Sequence, residues 1–445
     1  MRNIKLGLSG LLMGLSLLWW AAIGEVPDAL NFITVRNYFV QYSGIIAIGV
    51  FSVAMVLATR PRWIEPFAGG LDKSYRLHKW LGIGGGVTAI FHWLGANGPK
   101  WLVGWGVIER PRRGPRADPE TLGAIQRFLG DQREMAEAIG EWAFYAVVLL
   151  IAVALIKRIP YRLFAATHRL IAVAYLALVF HSVMLINFSY WMQPIGIVSG
   201  LLMLAGVLAA LLSLGGRIGR TRQVQGTIEA LHYFPDMRIQ ETVIKLDPDW
   251  PGHDGGQFAF VTFDAGEGQH PFTIASAWNP ADRRVMFITK ALGDYTEYLP
   301  DRLRIGDPVT VEGPYGRFTF EDGHERQIWI GGGVGITPFI ARMKQLAQAP
   351  EDQLIDLFHS TTNLEPAALE KLTADAAGAN VNLHVLINDR DGYLTGEKLR
   401  EAVPDWRSAG IWFCGPAGFG AALRQDLTAH GLSANDFHQE LFDMR

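Results

Sequence analysis

Apolar residues fill the first half of the chain in long blocks, and short alternating blocks take over in the second. Six of the long ones, about 4–23, 40–58, 77–96, 139–156, 163–187 and 192–214, reach or approach the roughly 20 helical residues needed to cross a hydrocarbon core. They predict six transmembrane helices. After Arg222 the pattern shortens to segments such as Val224–Leu231, Gln257–Phe263, Val285–Thr289 and Pro308–Glu312, divided by Gly, Pro and Asp clusters, which predicts a small antiparallel barrel. From Gln327 on, the strands Ile328–Ile330, Leu354–His359, Asn382–Ile387 and Ile411–Cys414 alternate with helical stretches, as the βα units of a doubly wound domain do. The expected chain is therefore multi-domain: a six-helix transmembrane bundle over 1–220, an antiparallel β-barrel over 221–322 and an α/β Rossmann-like domain over 323–445.

Basic residues give the bundle a direction. Arg2 and Lys5, then Arg60, Arg62, Lys73 and Arg76, then Lys157, Arg158 and Arg162, then Arg217, Arg220 and Arg222 flank alternate ends of the blocks. The amino terminus and everything after the sixth helix are expected on the cytoplasmic side of a cell (inner) membrane. The loop 97–138 dissents with Arg110, Arg112, Arg113 and Arg116, although Glu109, Asp118 and Glu120 lie among them. The first block follows Arg2 and Lys5 as a signal sequence would, but Trp19 and Trp20 stand where small cleavage-site residues are needed, so an uncleaved anchor is expected. A net charge of -3 gives no basic surface for nucleic acid. Cys414 is the only cysteine, which excludes an intrachain disulfide.

Four of the twelve histidines precede residue 222, and all four fall inside predicted membrane helices: His78 and His92 in the third, His168 and His181 in the fifth. An imidazole in lipid is costly unless partnered, and iron is a strong partner for its neutral form. The spacings of 14 and 13 residues correspond to about 20 Å of helical rise, which suits two haems stacked across a bilayer. Third and fifth helices run in the same direction, so His78 is expected to pair with His168 on the inner side and His92 with His181 on the outer. Gly84, Gly85 and Gly86 can let a flat macrocycle approach closely. Thirteen residues, unlike fourteen, turn a helix face by about 140° at 100° per residue, so tilt, kinking or rotated haems must absorb the difference.

Three later stretches suit flavin and nucleotide chemistry. In His270-Pro271-Phe272-Thr273-Ile274-Ala275-Ser276, Phe272 can give an isoalloxazine an apolar wall and Thr273 a hydroxyl near its reactive nitrogen. In Lys290-Ala-Leu-Gly293-Asp-Tyr-Thr296-Glu297, Gly293 can bring backbone N–H groups to a pyrophosphate while Lys290 or Thr296 offers side-chain donors. Gly331-Gly332-Gly333-Val-Gly335-Ile-Thr337-Pro338 follows an apolar strand and opens a helix, the setting in which glycines let a dinucleotide phosphate meet a helix amino terminus. Phe413-Cys414-Gly415-Pro416 ends a later strand and sets a soft thiol where a nicotinamide ring can rest, or else buries a structural cysteine.

In this order the histidine pairs, His270-Pro-Phe-Thr, Gly293-Asp-Tyr-Thr-Glu, Glu312-Gly-Pro-Tyr-Gly, the glycine run through Pro338, Cys414-Gly-Pro and the closing Phe437-His-Gln-Glu-Leu-Phe442 resemble the ferric reductase and NADPH oxidase superfamily. That resemblance implies a haem domain fused to a ferredoxin-NADP reductase-like dehydrogenase carrying FAD and two haem b, with NADPH or NADH as electron donor. It implies FAD at His270 to Ile274, Ser276, Lys290, Gly293 and Thr296, the nucleotide at Gly331 to Pro338 and at Cys414 to Pro416, and Phe442 stacked on the flavin. Thr273, Cys414 and Phe442 would attend hydride transfer. In the oxidases that aromatic commonly ends the chain, whereas here Asp443, Met444 and Arg445 follow it. NADP-preferring members often place an arginine after the second Rossmann strand, whereas this chain reads His359-Ser-Thr-Thr-Asn363.

The expected activity is that of an NAD(P)H-dependent oxidoreductase embedded in the bilayer. Hydride arrives as two electrons, haem accepts one at a time, and flavin can do both. With two histidines on each iron the final acceptor, oxygen or a ferric chelate, would be reduced at the outer haem edge. An electron-supply subunit for a quinone or an extracytoplasmic protein is the alternative, and a non-enzymatic haem-binding transport or sensor protein the rival from another class.

Overall fold

The computed structural model describes residues 2–24, 31–109, 123–156 and 158–440. Arg110, Arg112, Arg113, Arg116, Asp118, Glu120, Lys157 and Phe442 to Arg445, all named above, lie outside the described residues. The chain divides into two compact units, one before Gly219 (Gly70–Asp72 apart) and one from Gly219 onward.

The first unit is helical, with long helices α1 (Arg2–Ala22), α2 (Phe32–Ala58), α3 (Leu71–Gly104), α4 (Arg133–Leu155), α5 (Tyr161–Leu185) and α6 (Pro194–Leu214). Most overrun their apolar blocks, because main-chain hydrogen bonding is indifferent to side-chain polarity. The α2 helix starts at a capping signal instead, the Asn31 carboxamide oxygen accepting from Thr34 N–H at 2.9 Å. Five of the six are long and apolar enough to cross a membrane. The α3 helix is the exception to the six expected. Its middle spends positions on Gly82, Gly84, Gly85, Gly86, His92 and Gly95, and its ends carry Asp72, Lys73, Arg76, Lys79 and Lys100. At 34 residues it is about 51 Å long at 1.5 Å per residue, which exceeds a hydrocarbon core of about 30 Å. The α2 helix supplies more of the core than any other helix, through residues such as Ile45, Ile46, Ile48, Val50 and Leu57. A buried polar knot ties α2 to α5 and α6: the Tyr175 hydroxyl is hydrogen-bonded to Ser52 Oγ at 2.8 Å and donates to Met203 O at 3.3 Å. Such partners are what a hydroxyl among apolar helices requires.

The second unit opens with β1 (Gln223–Phe234), β2 (Ile239–Leu246), β3 (Phe258–Thr262), β4 (His270–Thr273), β5 (Arg284–Lys290) and β6 (Pro308–Tyr315). They form one antiparallel sheet in the order β4-β3-β6-β1-β2-β5. A bridge between Ile274 and Phe287 joins its two edges, so the sheet closes on itself. Alternation sets which side faces in: Val224 and Ile228 are buried while Gln225 and Thr227 are exposed. Leu299, in the helix α7 (Asp294–Arg302), and Leu303 just after it join this core.

Next come β7 (Arg326–Gly332), α8 (Thr337–Gln348), β8 (Leu354–Thr361), α9 (Pro366–Gly378), β9 (Val381–Ile387), β10 (Gly410–Cys414), α10 (Ala417–Ala429) and β11 (Phe437–Gln439). Their strands make a parallel sheet in the order β11-β10-β7-β8-β9. Consecutive apolar residues such as Ile328, Trp329 and Ile330 are fully buried, as strands covered on both faces require. The chain leaves β7 for β8 on one side and returns to β10 on the other. The carboxyl ends of β7 and β10 therefore flank the switch point at which open α/β sheets bind ligands.

Candidate functional site

In the helical unit the four histidines come together in the pairs expected. The His78 and His168 rings lie 5.9 Å apart between centroids and the His92 and His181 rings 6.2 Å. An imidazole nitrogen sits about 2 Å from a bound metal and its ring centroid about 1 Å behind, so two rings ligating one iron from opposite sides are separated by about 6 Å. Both pairs match that spacing. Among the described residues no group of three or more His, Cys, Asp and Glu is placed to hold a metal ion. Two protein ligands per site is the number a porphyrin leaves open on its iron.

The other ring nitrogen is fixed at three of the four. His78 Nδ1 donates to Ala54 O at 2.9 Å, His92 Nδ1 to Val40 O at 3.0 Å with Ser43 Oγ 3.2 Å away, and His181 Nδ1 to Ala136 O at 2.8 Å. A proton held at Nδ1 leaves the Nε2 lone pair for a metal. His168 Nδ1 is buried without such a partner, and Phe164 stacks on its ring at 5.1 Å. His168 and His181, 13 positions apart on α5, both meet histidines of α3. His92 and His181 line a cavity of about 790 Å³ together with Gly44, Phe51, Arg36 and Arg133. The glycine expectation needs correcting. A Cβ on Gly85 would meet the Phe51 ring at 2.7 Å and one on Gly86 the Ile151 side chain at 3.2 Å, so protein side chains fill both positions. Gly84 alone faces open space.

In the second unit His270 and Phe272 share one face of β4. The His270 ring stacks on Tyr295 at 3.9 Å and 12°, a partner the sequence reading quoted without giving it a role. Burial pushes the His270 pKa down to about 4, so the ring is neutral at physiological pH. Phe272 packs against Phe263 and Phe287. Thr273 is buried, and as its neighbour on a strand it points to the other face. Pro271 pairs with Phe260 across the sheet. The Ile274 side chain is fully buried in the sheet core, opposite Phe287, which leaves its backbone to face a cofactor. Hydroxyls expected to face ligands are engaged locally. Ser276 Oγ accepts from Met286 N–H at 3.0 Å, while Thr296 Oγ1 accepts from Leu292 N–H at 3.0 Å and Gly293 N–H at 3.3 Å. Lys290 ends β5 near His359 on β8, and its charge adds to the burial that holds His359 at about 4.

The glycine run meets the Cys414 turn directly. A Cβ on Gly335 would lie 2.2 Å from Cys414 O, one on Gly332 2.9 Å from Pro416, and one on Gly415 3.0 Å from the Gly332 backbone. Only glycine permits that approach, and Gly333 has φ +57° as well. Gly331 closes β7 against Ile336, Thr337 Oγ1 donates to Val334 O at 2.7 Å, and Pro338 takes the first turn of α8. Cys414 lies on a strand covered on both faces, its side chain is fully buried in the cluster of Phe318, Trp329 and Trp412, and burial raises its pKa well above the usual thiol value. Gly415 and Pro416, not the thiol, form the surface there. The nearby Glu440 carboxylate, buried and adding to that shift, received no role from the sequence.

Residues 43–179 match the family model described as "Ferric reductase like transmembrane component". That stretch contains His78, His92 and His168. The flavohemoprotein of Oceanobacillus iheyensis is 26% identical over 162 residues, 34% of this chain and 40% of that protein. The flavohemoprotein of Pseudomonas putida is 24% identical over 238 residues, 51% of this chain and 58% of that protein. The chain thus spans about half the length of the curated relatives it matches. The solved flavohem-like FAD/NAD binding domain of nitric oxide dioxygenase from Vibrio cholerae aligns with a TM-score of 0.42 and 20% identity, over 49% of this chain and 98% of that one.

Proposed function

We propose that the protein passes electrons from cytoplasmic NAD(P)H, by way of FAD and two bis-histidine b-type haems, to an acceptor on the outer side of the cell membrane: oxygen, giving superoxide, or a ferric chelate. The observation that carries this reading is the pairing of His78 with His168 and His92 with His181 at the spacing of two axial ligands. The name shared by the two curated relatives, flavohemoprotein, supports the joining of flavin to haem. All six long helices cross the membrane in this reading, α3 with its ligands facing the bundle.

Bound FAD supplies the exchange between hydride and single electrons. The chain's own part is to bind and orient. His270, Pro271, Phe272, Thr273, Ser276, Lys290, Gly293 and Thr296 would form the flavin site, Ser276 and Thr296 by shaping its backbone, since their hydroxyls accept local N–H groups. The backbone of Gly331, Gly332, Gly333 and Gly335 would hold the nucleotide phosphates and Gly415 and Pro416 the nicotinamide, while the flavin-stacking role expected of Phe442 falls outside the described residues. Two histidines at each iron leave the acceptor no coordination site, so electrons exit at the edge of the site between His92 and His181. The test is anaerobic addition of NADH or NADPH to purified protein, followed by oxygen or ferric citrate. Reduced haem bands that reoxidise on admitting the acceptor are expected; haems that stay oxidised with either nucleotide overturn the proposal.

A further inference from the structure

The two outer histidines reach backbone carbonyls in the same unusual way. His92 Nδ1 donates to Val40 O on α2, and the residue four positions on is Gly44. His181 Nδ1 donates to Ala136 O on α4, and the residue four positions on is Gly140. In an α-helix the carbonyl of residue i already accepts from the N–H of residue i+4, so a second donor must come in past the side chain at i+4. Glycine there removes that side chain. A Cβ at Gly44 would lie 3.1 Å from His92 Cε1 and 3.3 Å from its Nδ1. A Cβ at Gly140 would lie 1.9 Å from His181 Nδ1 and 2.5 Å from Cγ and Cε1, positions a methyl cannot share with the ring. The inner pair is built differently. His78 Nδ1 reaches Ala54 O past Ala58, and His168 Nδ1 has no such bond.

We infer that Gly44 and Gly140 are positioning residues for the outer haem site, each opening a helix carbonyl that fixes the tautomer and basicity of one ligand. The inference rests on the haem reading above. A carbonyl on Nδ1–H makes the imidazole a stronger donor to ferric iron and lowers the site's potential. Losing one such bond raises the potential, and displacing the ring removes the site. The inner haem and the flavin have no part in either glycine.

The test uses the full chain in lipid nanodiscs, comparing Gly44→Ala, Gly140→Ala and, as a control in α1 with open space around its Cβ, Gly14→Ala. Haem per flavin, low-spin EPR signals and the haem potentials are measured. Gly140→Ala is expected to lose half of its haem, with one low-spin signal and flavin reduction by NADH unchanged. Gly44→Ala is expected to keep both haems but shift the outer signal and raise its potential, and Gly14→Ala to match wild type. Should Gly140→Ala fail to accumulate, the milder Gly44→Ala carries the test through its potential. Wild-type haem content, signals and potentials in both variants overturn the inference. Wild-type protein without two low-spin haems overturns the proposed function instead.

Discussion

Introducing arginine at Thr362 should turn nucleotide choice toward NADPH, because the site that would face a 2′-phosphate is now lined by neutral groups. At the end of β8, Ser360 Oγ donates to Asn388 Oδ1 at 3.1 Å, and Asn388 Nδ2 to Thr362 Oγ1 at 3.4 Å. Arg390, three residues past the end of β9, spends its planar fork on Asp391, with Nε and NH2 both at 2.9 Å from its carboxylate. That pairing holds the Asp391 carboxyl below the usual carboxylate range. A phosphate would have to compete with it. NADH is therefore expected to serve at least as well as NADPH, and Arg390→Ala to change NADPH use little. Thr362 is exposed, so Thr362→Arg can extend without displacing core. One charge-assisted hydrogen bond to phosphate contributes about 1.5–3 kcal/mol, or roughly ten- to hundredfold in kcat/KM for NADPH over NADH. The assay is anaerobic flavin reduction by each nucleotide, in wild type and both variants. A hundredfold wild-type preference for NADPH that Arg390→Ala abolishes would refute the reasoning.

Three further outcomes are expected. His92→Ala or His181→Ala removes one haem and stops acceptor reduction while NADH still bleaches the flavin; retention of both haems with unchanged spectra would contradict the ligand assignment. Burial holds His253 and His359 at about 4, below an unfolded value of about 6.5, so the unfolded chain binds more protons between those limits. Stability of the second unit should therefore fall as pH drops from about 6.5 to about 4, by up to about 1.4 kcal/mol per pH unit for each histidine. Urea midpoints followed by tryptophan fluorescence check this, and a flat profile would count against it. Cys414, fully buried with its thiol protonated, should resist maleimide at pH 8 until urea unfolds the chain; immediate labelling of native protein would show the thiol to be accessible.

Much of this arrangement was legible because it depends on period and spacing. Apolar blocks marked the helices, alternation marked strands such as β1, and parallel helix directions dictated that His78 meets His168 and His92 meets His181. What sequence could not show depends on which neighbour arrives at a given residue. Gly85 looked like space for a macrocycle until Phe51 was found against it. Ile274 and Cys414 belong to motifs, but each sits where its strand is covered, so its side chain joins the core. Thr296 looked like a phosphate donor, yet its hydroxyl is taken by the adjacent N–H groups, the local competition that short hydroxyl side chains commonly enter. Gly44 and Gly140 carry no local signal, since their importance lies in carbonyls four residues back and in rings from other helices.

The claim most in need of a direct test is that electrons cross the membrane through the histidine pairs. Protein is reconstituted into anaerobic vesicles with the nucleotide-binding unit outside and ferric citrate sealed within, and NADH is added to the exterior. Reduction of the entrapped iron is expected in wild type and absent in His92→Ala, although external NADH still reduces the flavin of that variant. Iron reduced only when it shares the exterior with NADH, or reduced equally well by His92→Ala, would contradict the account.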